Sequence, residues 1–210
     1  MLRYSFSLFI IACLIQSMSL AQSFKPAGDP AKILSELKKA SQATNTLQAD
    51  FKEQKFLSVL KNPQLSSGTF HYQKKDKMRW EQQRPSNYVI LINGDRLRVQ
   101  EAGKEKNVAA AGRMAAQIKE LMLGLVNGDF QDNRAFSQTC LENSERYQII
   151  LTPTSSRLKK MYSKISLVFS RSSLRLGELT FFEKSGDKSI MTFTNEKING
   201  EIPEGVFTNL

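Results

Sequence analysis

The sequence has few of the residues that enzymes use for catalysis or metal binding. His71 is the only histidine, so a metal site built on two histidines is excluded, and a serine triad would have one possible base. No Gly-x-Ser-x-Gly elbow presents a nucleophile to it. No loop has the spacing of a calcium site or of a glycine-rich phosphate cradle. We therefore predict a non-enzymatic protein without a metal or cofactor.

Cysteine is almost as scarce, with Cys13 near the N-terminus and Cys140 far from it. No Cys-x-x-Cys spacing occurs, so we interpret Cys140 as a half-buried small hydrophobic residue and not as a nucleophile. If the N-terminal segment is removed, no intramolecular disulfide can form. Residues 22–210 must then depend on a hydrophobic core, and they are numerous enough for one domain that buries roughly 70% of its unfolded surface.

The first 21 residues have the pattern of an export signal. Arg3 is the only charge before a mostly apolar run over residues 5–20, and Ser19-Leu20-Ala21 supplies the small residues of a cleavage site. We predict that residues 1–21 are removed and that residues 22–210 form a single domain. No second run of about 20 apolar residues follows, so no membrane-spanning segment is predicted after it.

An alternative concerns the same segment. Ile10-Ile11-Ala12-Cys13 resembles a lipobox, which would make Cys13 a lipidated N-terminus. The residues after Cys13 stay apolar instead of opening a polar linker, which favours cleavage after Ala21. Both alternatives export the protein.

The net charge is strongly positive. The chain has a formal charge of +10, and loss of residues 1–21 removes Arg3 and no acidic residue, which leaves +9. In an exported protein this balance is weak support for nucleic-acid binding, and we predict no nucleic-acid partner. Acidic partners, anionic head groups or simple solubility account for it better.

Residues 65–85 predict a hairpin with one apolar and one polar face. Side chains alternate along each strand, so every second residue shares a face. The connection at residues 74–77 is polar and basic, which predicts a turn that faces solvent. The apolar face consists of Gly68, Phe70, Tyr72, Met78 and Trp80. So much aromatic area must be covered by a core, a helix or a ligand, whereas the opposite face, with His71 and Arg79, is expected to be wet.

The rest of the chain predicts helices and strands in one mainly β, α+β domain. Asp29-Pro30 is a typical helix start, and that helix should end near residues 41–45. Asn93-Gly94 and Ser185-Gly186-Asp187 predict tight turns, which favour antiparallel neighbours. Apolar segments predict further strands over residues 47–59, 88–92, 97–99, 147–151, 165–169, 174–183 and 189–194.

Between Gly112 and Gly128 the apolar residues take up a helical period. They lie within an arc of roughly 100° on one helix face. The members of this stripe are Met114, Ile118, Leu121, Met122 and Leu125. This pattern is explained either by an ordinary helix packed on the sheet or by a lid over a cavity, whose methionines could repack around variable contents.

Six segments, in order and spacing, resemble one known family. They are Leu47-Gln48-Ala49-Asp50-Phe51 with Gln54, Ser67-Gly68-Thr69-Phe70, Met78-Arg79-Trp80-Glu81 followed by Pro85, Asn93-Gly94 with Leu97, Glu183-Lys184-Ser185-Gly186-Asp187, and Phe193-Thr194-Asn195. From about Thr46 to Phe207 the chain is similar to the periplasmic outer-membrane lipoprotein carriers (LolA). The resemblance implies an open, strongly curved antiparallel half-barrel, with helices covering its concave mouth.

The resemblance also implies a function. A monomeric periplasmic carrier would receive lipoproteins from an ABC-type releasing complex in the inner membrane and deliver them to an outer-membrane acceptor. On this interpretation the acyl-chain cavity and its lid use Phe51, Phe70, Tyr72, Met78, Trp80, Leu97, Met114, Ile118, Leu121, Met122 and Leu125. The alternatives are a lipidated outer-membrane acceptor of the same fold, or an interaction module that senses misplaced lipoproteins.

The hairpin turn departs from the family. Where the family has Arg-Pro, this chain has Lys74-Lys75, which keeps a positive charge but not the bidentate geometry of arginine. We predict that Lys74, Lys75 and Lys77 contact the partner proteins.

Overall fold

The computed structural model describes residues 23–74, 76–107, 124 and 135–210. In these residues the chain forms a 12-stranded antiparallel sheet. Its strands are β1 (Lys25–Pro26), β2 (Thr46–Phe56), β3 (Gln64–Gln73), β4 (Lys77–Arg84), β5 (Tyr88–Asn93), β6 (Arg96–Glu101), β7 (Lys104–Lys106), β8 (Phe136–Glu142), β9 (Arg146–Pro153), β10 (Tyr162–Ser170), β11 (Leu176–Glu183) and β12 (Lys188–Ile198). The helices bounded within these residues are α1 (Pro30–Gln42), α2 (Ser156–Met161) and a 3-10 helix (Glu204–Phe207).

Helix α1 begins where the sequence predicts. The Asp29 side chain accepts a hydrogen bond of 3.0 Å from the backbone nitrogen of Lys32, which satisfies one of the free N–H groups at the helix start. Pro30 takes the first helical position, where an N–H group is not needed. Ile33 and Leu37, one turn apart, are the buried residues of this helix.

The sheet is a meander with two long-range pairings, a short one between β1 and β8 and a closure between β12 and β2. Its order is β1-β8-β9-β10-β11-β12-β2-β3-β4-β5-β6-β7, so most neighbours in space are also neighbours in sequence. The closure joins β12 to β2, with Phe193 opposite Phe51. These pairings confirm the antiparallel arrangement. Helices over a concave mouth remain a prediction, because the helix predicted between Gly112 and Gly128 lies outside the described residues apart from Gly124.

The register places the hydrophobic core on one face of the sheet, called here the inner face. Across β9 to β12 the row Ile149, Leu167, Leu179 and Met191 shares this face. Two clusters form on it. The first joins α1 to the β8–β11 half of the sheet, and the second lies on β2–β5. Met191 and Phe193 pack against both clusters and connect them.

The outer face of β4–β6 is covered by the C-terminal segment, residues 201–210. Asn93 Nδ2 donates to the carbonyl of Phe207 at 3.1 Å, and Arg98 Nη1 donates to that of Thr208 at 3.1 Å. Val89 and Leu91 are buried on this side, which explains why β5 is apolar on both faces. The expectation of a wet polar face is therefore wrong around Arg79, whose Nη1 also donates to the carbonyl of Asn209.

Two predicted strands are longer than the observed ones. β2 ends at Phe56 and not at residue 59, because the backbone nitrogen of Ser58 leaves the ladder to donate to Asp187 Oδ1 at 2.8 Å. β11 begins at Leu176 and not at residue 174, because Leu174 has φ 56° and donates to the Ser170 carbonyl in a turn. No helix in the described ranges is long and apolar enough to cross a bilayer.

Candidate functional site

A cavity of about 260 Å³ lies on the inner face, between the two hydrophobic clusters. Strands β2–β4 and β12 form one wall, and the loop and strands from β10 to β11 form the other. The apolar lining residues of the first wall are Leu47, Ala49, Phe70, Trp80, Phe193 and Ile198. Those of the second are Phe169, Leu174, Leu176 and Leu179. The site is therefore an apolar cleft at the seam of two cores.

The sequence of α1 explains why the seam is open. Ile33 and Leu37 are large and fill the first cluster. The end of the helix and the residues after it carry small side chains instead, and four of these line the cavity: Ala40, Ser41, Ala43 and Thr44. Small side chains leave unfilled the volume that leucines would occupy. The helix thus closes one half of the inner face and leaves space beside the other.

Aromatic rings form much of the first wall. Trp80 stacks on Phe51 with ring centroids 3.9 Å apart, and Phe70 lies 6.0 Å from Trp80. Phe193 meets both Phe70 and Trp80 edge-on, with centroids 6.4 Å apart in each pair. Mutual packing of this kind fixes the rings. The wall therefore presents a broad, rigid apolar surface.

The structure brings the predicted cavity residues of β2–β6 together in one cluster, but only some of them line the cavity. Phe70 and Trp80 line the cavity. Phe51, Tyr72 and Met78 are buried in the same cluster, and Leu97 packs against its edge. The predicted lid residues lie outside the described residues: Met114, Ile118, Leu121, Met122 and Leu125. A role in acyl-chain binding remains a prediction for all of them.

One ion pair lies among the cavity residues. Arg175 Nε is 3.8 Å from Glu196 Oε2, and the Glu196 side chain is 15% exposed. Burial raises the pKa of the Glu196 carboxyl above its usual value, and the charge of Arg175 opposes that rise. The cavity therefore combines an apolar interior with one acidic and one basic group.

A β-bulge positions Glu196. Thr194 pairs with Asp50 and Lys197 pairs with Gln48, so Asn195 and Glu196 together oppose one residue of β2. Asn195 has φ 55°, and its Nδ2 donates to Asp50 Oδ2 at 2.7 Å. Sequence reasoning missed this ion pair. The usable signal was Asn195, since asparagine tolerates left-handed backbone better than most residues.

Two of the three lysines expected to dock partners, Lys74 and Lys77, make contacts within the chain. Lys77 Nζ forms an ion pair of 2.7 Å with Glu204 Oε1, which ties the start of β4 to the C-terminal segment. Lys74 Nζ donates to the carbonyl of Gln42 at the end of α1. Lys75 lies outside the described residues. Docking by these lysines stays a prediction.

His71 and Cys140 are both shielded and lie outside the cavity lining. His71 points to the outer face, where burial, and then the charge of Arg79, lower its pKa. Its Nδ1 is buried and has no hydrogen-bond partner within the described ranges. Cys140 is buried in the first cluster, and burial raises its pKa to about 11. Among the described residues, no three His, Cys, Asp or Glu side chains group to hold a metal ion.

Comparison with known proteins points to one family. The family described as "Outer membrane lipoprotein carrier protein LolA" matches residues 42–209. An outer-membrane lipoprotein carrier protein from Dechloromonas aromatica (strain RCB) is 25% identical over 165 residues, which cover 78% of this chain and 76% of that protein.

Solved structures of low sequence identity are also similar. A LolA superfamily protein from Nitrosomonas europaea has a TM-score of 0.43 and 14% identity, covering 85% of this chain and 96% of its own. The lipoprotein LppX from Mycobacterium tuberculosis has a TM-score of 0.45 and 10% identity, covering 83% and 99%. The assignment rests on the family match, which spans most of the sequence. The chain belongs to the LolA family of outer membrane lipoprotein carrier proteins.

Proposed function

We propose that this protein is a periplasmic carrier that shields the acyl chains of lipoproteins in the seam cavity and carries them from the inner to the outer membrane. The observation that supports this most is the apolar cavity walled by Phe70, Trp80 and Phe193, in a chain of the LolA family. In this proposal an ABC-type complex in the inner membrane loads the carrier, and an outer-membrane acceptor unloads it.

The energetics explain why such a cavity is needed. Each methylene group removed from water contributes about 0.8 kcal/mol, so a chain of roughly sixteen carbons would cost on the order of 10 kcal/mol to expose. A carrier must cover that area and later release it. The aromatic wall provides the cover, and its contacts with an acyl chain are apolar, so the chain can leave without breaking hydrogen bonds to the rings.

The size of the cavity supports a loading step that involves movement. Its volume of about 260 Å³ is at or below the low end of ligand pockets, which hold roughly 300–1,000 Å³. A full acyl chain therefore needs the seam to widen. We propose that the helix predicted between Gly112 and Gly128 moves for this purpose, as a lid that opens when cargo enters.

The direct test of cargo is native mass spectrometry of the protein purified from the periplasm. The proposal predicts a population of higher mass that carries co-purified lipid or lipopeptide, which is released on denaturation. Protein recovered only in the unloaded form, from cells that make lipoproteins, would contradict the carrier function.

A matched pair of variants tests the cavity. Ala40→Phe adds a ring to the cavity lining, whereas Ala31→Phe adds the same ring to an exposed position of the same helix. We expect the first to reduce the affinity for a fluorescent acyl probe at least tenfold, because the ring takes the space of the chain. The second should bind like the wild type. Equal binding by both variants would place the acyl site elsewhere.

A further inference from the structure

The large hydrophobic side chains that are exposed in the described residues are concentrated in one place. Val59 is 86% exposed, Leu60 47% and Leu65 64%, all within the connection from β2 into β3. Single exposed apolar residues are normal on protein surfaces. Here three such residues lie within seven positions, and none of them belongs to either hydrophobic cluster. An exposed apolar group of this kind is typical of a surface that contacts a protein or a membrane.

This connection is fixed to its neighbours and does not fold back over its own apolar residues. The backbone nitrogen of Ser58 donates to Asp187 Oδ1 at 2.8 Å, and that of Leu60 donates to the Leu57 carbonyl at 2.9 Å. The first bond ties the loop to the turn between β11 and β12. The loop is therefore anchored at this end of the sheet while Val59, Leu60 and Leu65 stay exposed.

Basic residues surround the exposed loop. The backbone nitrogen of Lys184, in the β11–β12 turn, donates to the Met161 carbonyl at 2.9 Å, so that turn lies against the end of α2. We call the loop at residues 57–65, this turn and α2 the basic tip. Its exposed cations are Lys61, Arg157, Lys159, Lys160 and Lys184. Acidic groups lie beside them too: Glu183 is 4.0 Å from Lys55, Asp187 Oδ1 accepts the hydrogen bond from the Ser58 backbone nitrogen, and Glu53 accepts one from the Ser66 hydroxyl.

Two more cations lie over aromatic rings beside the same end of the sheet. Lys188 Nζ is 4.4 Å from the centroid of Phe56, and Lys164 Nζ is 4.5 Å from that of Phe182. The surface thus has aliphatic side chains at its centre and aromatic rings and lysines around them. This arrangement is complementary to a bilayer surface, where an apolar region lies beneath charged head groups. Apolar side chains enter the boundary with the acyl region, and the cations meet anionic head groups.

We propose that the basic tip docks the protein on the surface of anionic phospholipid bilayers. Docking buries Val59, Leu60 and Leu65 at the head-group boundary and brings the cations of the tip to the lipid phosphates. The tip lies at the Phe56 end of β2, whereas the cavity is lined from the opposite end by Leu47 and Ala49. The docking surface and the cavity are therefore separate sites on the molecule.

The geometry also separates two kinds of contact. The turn after β3 lies at the opposite end of the sheet, where the backbone nitrogen of Lys74 donates to the Asn45 carbonyl at 2.8 Å. A protein held on lipid by its basic tip keeps this turn away from the bilayer. The turn then remains accessible to a protein partner while the tip is bound to lipid.

Vesicle co-sedimentation of the purified protein, as processed by the cell, tests the proposal. We expect binding to vesicles of phosphatidylcholine and phosphatidylglycerol (3:1), weaker binding at high salt, and little binding to phosphatidylcholine alone. The triple variant V59S/L60S/L65S should lose at least tenfold in affinity. All three side chains are exposed, so its melting temperature should be unchanged.

A charge-matched pair separates docking from net charge. The variant K61Q/K184Q removes two cations from the tip, and K25Q/K104Q removes two exposed cations elsewhere. We expect the first variant to bind the anionic vesicles at least fivefold more weakly than the wild type, and the second to lose less than twofold in affinity.

Three results would each overturn the proposal: failure of the wild type to sediment with the vesicles, undiminished binding by the triple variant, or equal losses of affinity in both charge variants. So would capture of a membrane protein by the tip in the absence of lipid binding. Acyl-probe binding should stay unchanged in all tip variants, which separates this outcome from failure of the carrier function.

Discussion

The two halves of the inner face are built from the same alternating strands and both border the cavity, yet only the β8–β11 half is filled by large side chains of α1. In the β8–β11 half, α1 inserts Ile33 and Leu37 among aliphatic residues such as Ile149, Leu167 and Leu179. In the β2–β5 half, the cluster is mainly aromatic and stacks on itself. The difference indicates that the size of the covering side chains, and not the strand pattern, decides which part of a sheet face is filled and which part is left open.

The largest effect is expected where the aromatic half depends on a close approach of two strands. A Cβ atom on Gly68 would lie 1.8 Å from the backbone carbonyl oxygen of Glu81, and neither strand can move away without breaking the ladder. Gly68→Ala should therefore destabilise the protein by about 3 kcal/mol or more. Thermal or denaturant unfolding measures this.

Gly177→Ala is the matched control, because the nearest atom to its Cβ would be the Val168 carbonyl oxygen at 3.9 Å. It should unfold close to the wild type. If Gly68→Ala is equally stable, the strands of the aromatic half are looser than described, and the rigid-wall account does not hold.

A second pair of substitutions tests the packing of the two halves directly. Leu167 is fully buried in the filled half, whereas Leu47 is half-buried and lines the cavity. Truncation of a buried leucine creates a void and costs about 2–5 kcal/mol, so Leu167→Ala should fall in that range. Leu47→Ala only enlarges an existing cavity and should cost less than about 1.5 kcal/mol. Similar losses in urea unfolding would remove the distinction between the halves.

A smaller effect concerns the pH dependence of the seam. Burial raises the pKa of Glu196 above 4.5 in the folded protein, so the folded state holds this proton more tightly than the unfolded chain. The free energy of unfolding should therefore decrease as the pH rises from 4.5 through the folded pKa, and stay reduced above it. Glu196→Gln removes this loss.

The comparison is made by thermal unfolding between pH 4 and pH 8. As the pH rises, the melting temperature of Glu196→Gln should increase relative to that of the wild type. The melting temperature of Glu201→Gln, a change at an exposed position, should differ from that of the wild type by the same amount at every pH. Parallel curves for both variants would show that Glu196 is solvated, and would place it outside the cavity.

The smallest effect is a difference in accessibility. Cys140 is buried in the filled half with a pKa raised to about 11, so little thiolate is present at pH 8. Its modification by a thiol reagent should be at least about tenfold slower than that of a cysteine introduced at the exposed cavity residue Ser173. In denaturant, the thiol reagent should modify Cys140 rapidly. Rapid modification of native Cys140 would show that the filled half opens.

Local signals made part of this fold predictable. The cap at Asp29 and the alternation from Gly68 to Trp80 act over a few residues, so they identified α1 and the apolar face of the hairpin. β8 was missed because its inward positions carry only Phe136 and Cys140 as apolar residues, with Gln138 between them. β1 and α2 are too short to leave a clear period.

The parts of the site that sequence reasoning missed depend on long-range packing. The cavity exists because the end of α1, which carries small side chains, comes to lie beside β2 and β12, and no pattern within α1 reveals that neighbour. Glu196 points there only because of the bulge opposite Ala49. The cover over β4 and β5 likewise comes from residues 201–210, more than 100 residues away.

The central claim is that acyl chains occupy the seam beside the aromatic wall, and the single tryptophan tests it. Trp80 lines the cavity, so a chain that carries bromine atoms along its length should quench the fluorescence of Trp80 on contact. The measurement is a titration of the protein with brominated and unbrominated forms of one acyl probe. We predict saturable quenching by the brominated form alone, and its loss in Ala40→Phe but not in Ala31→Phe. Equal binding of both forms without quenching would show that the chain lies away from Trp80 and would contradict the account.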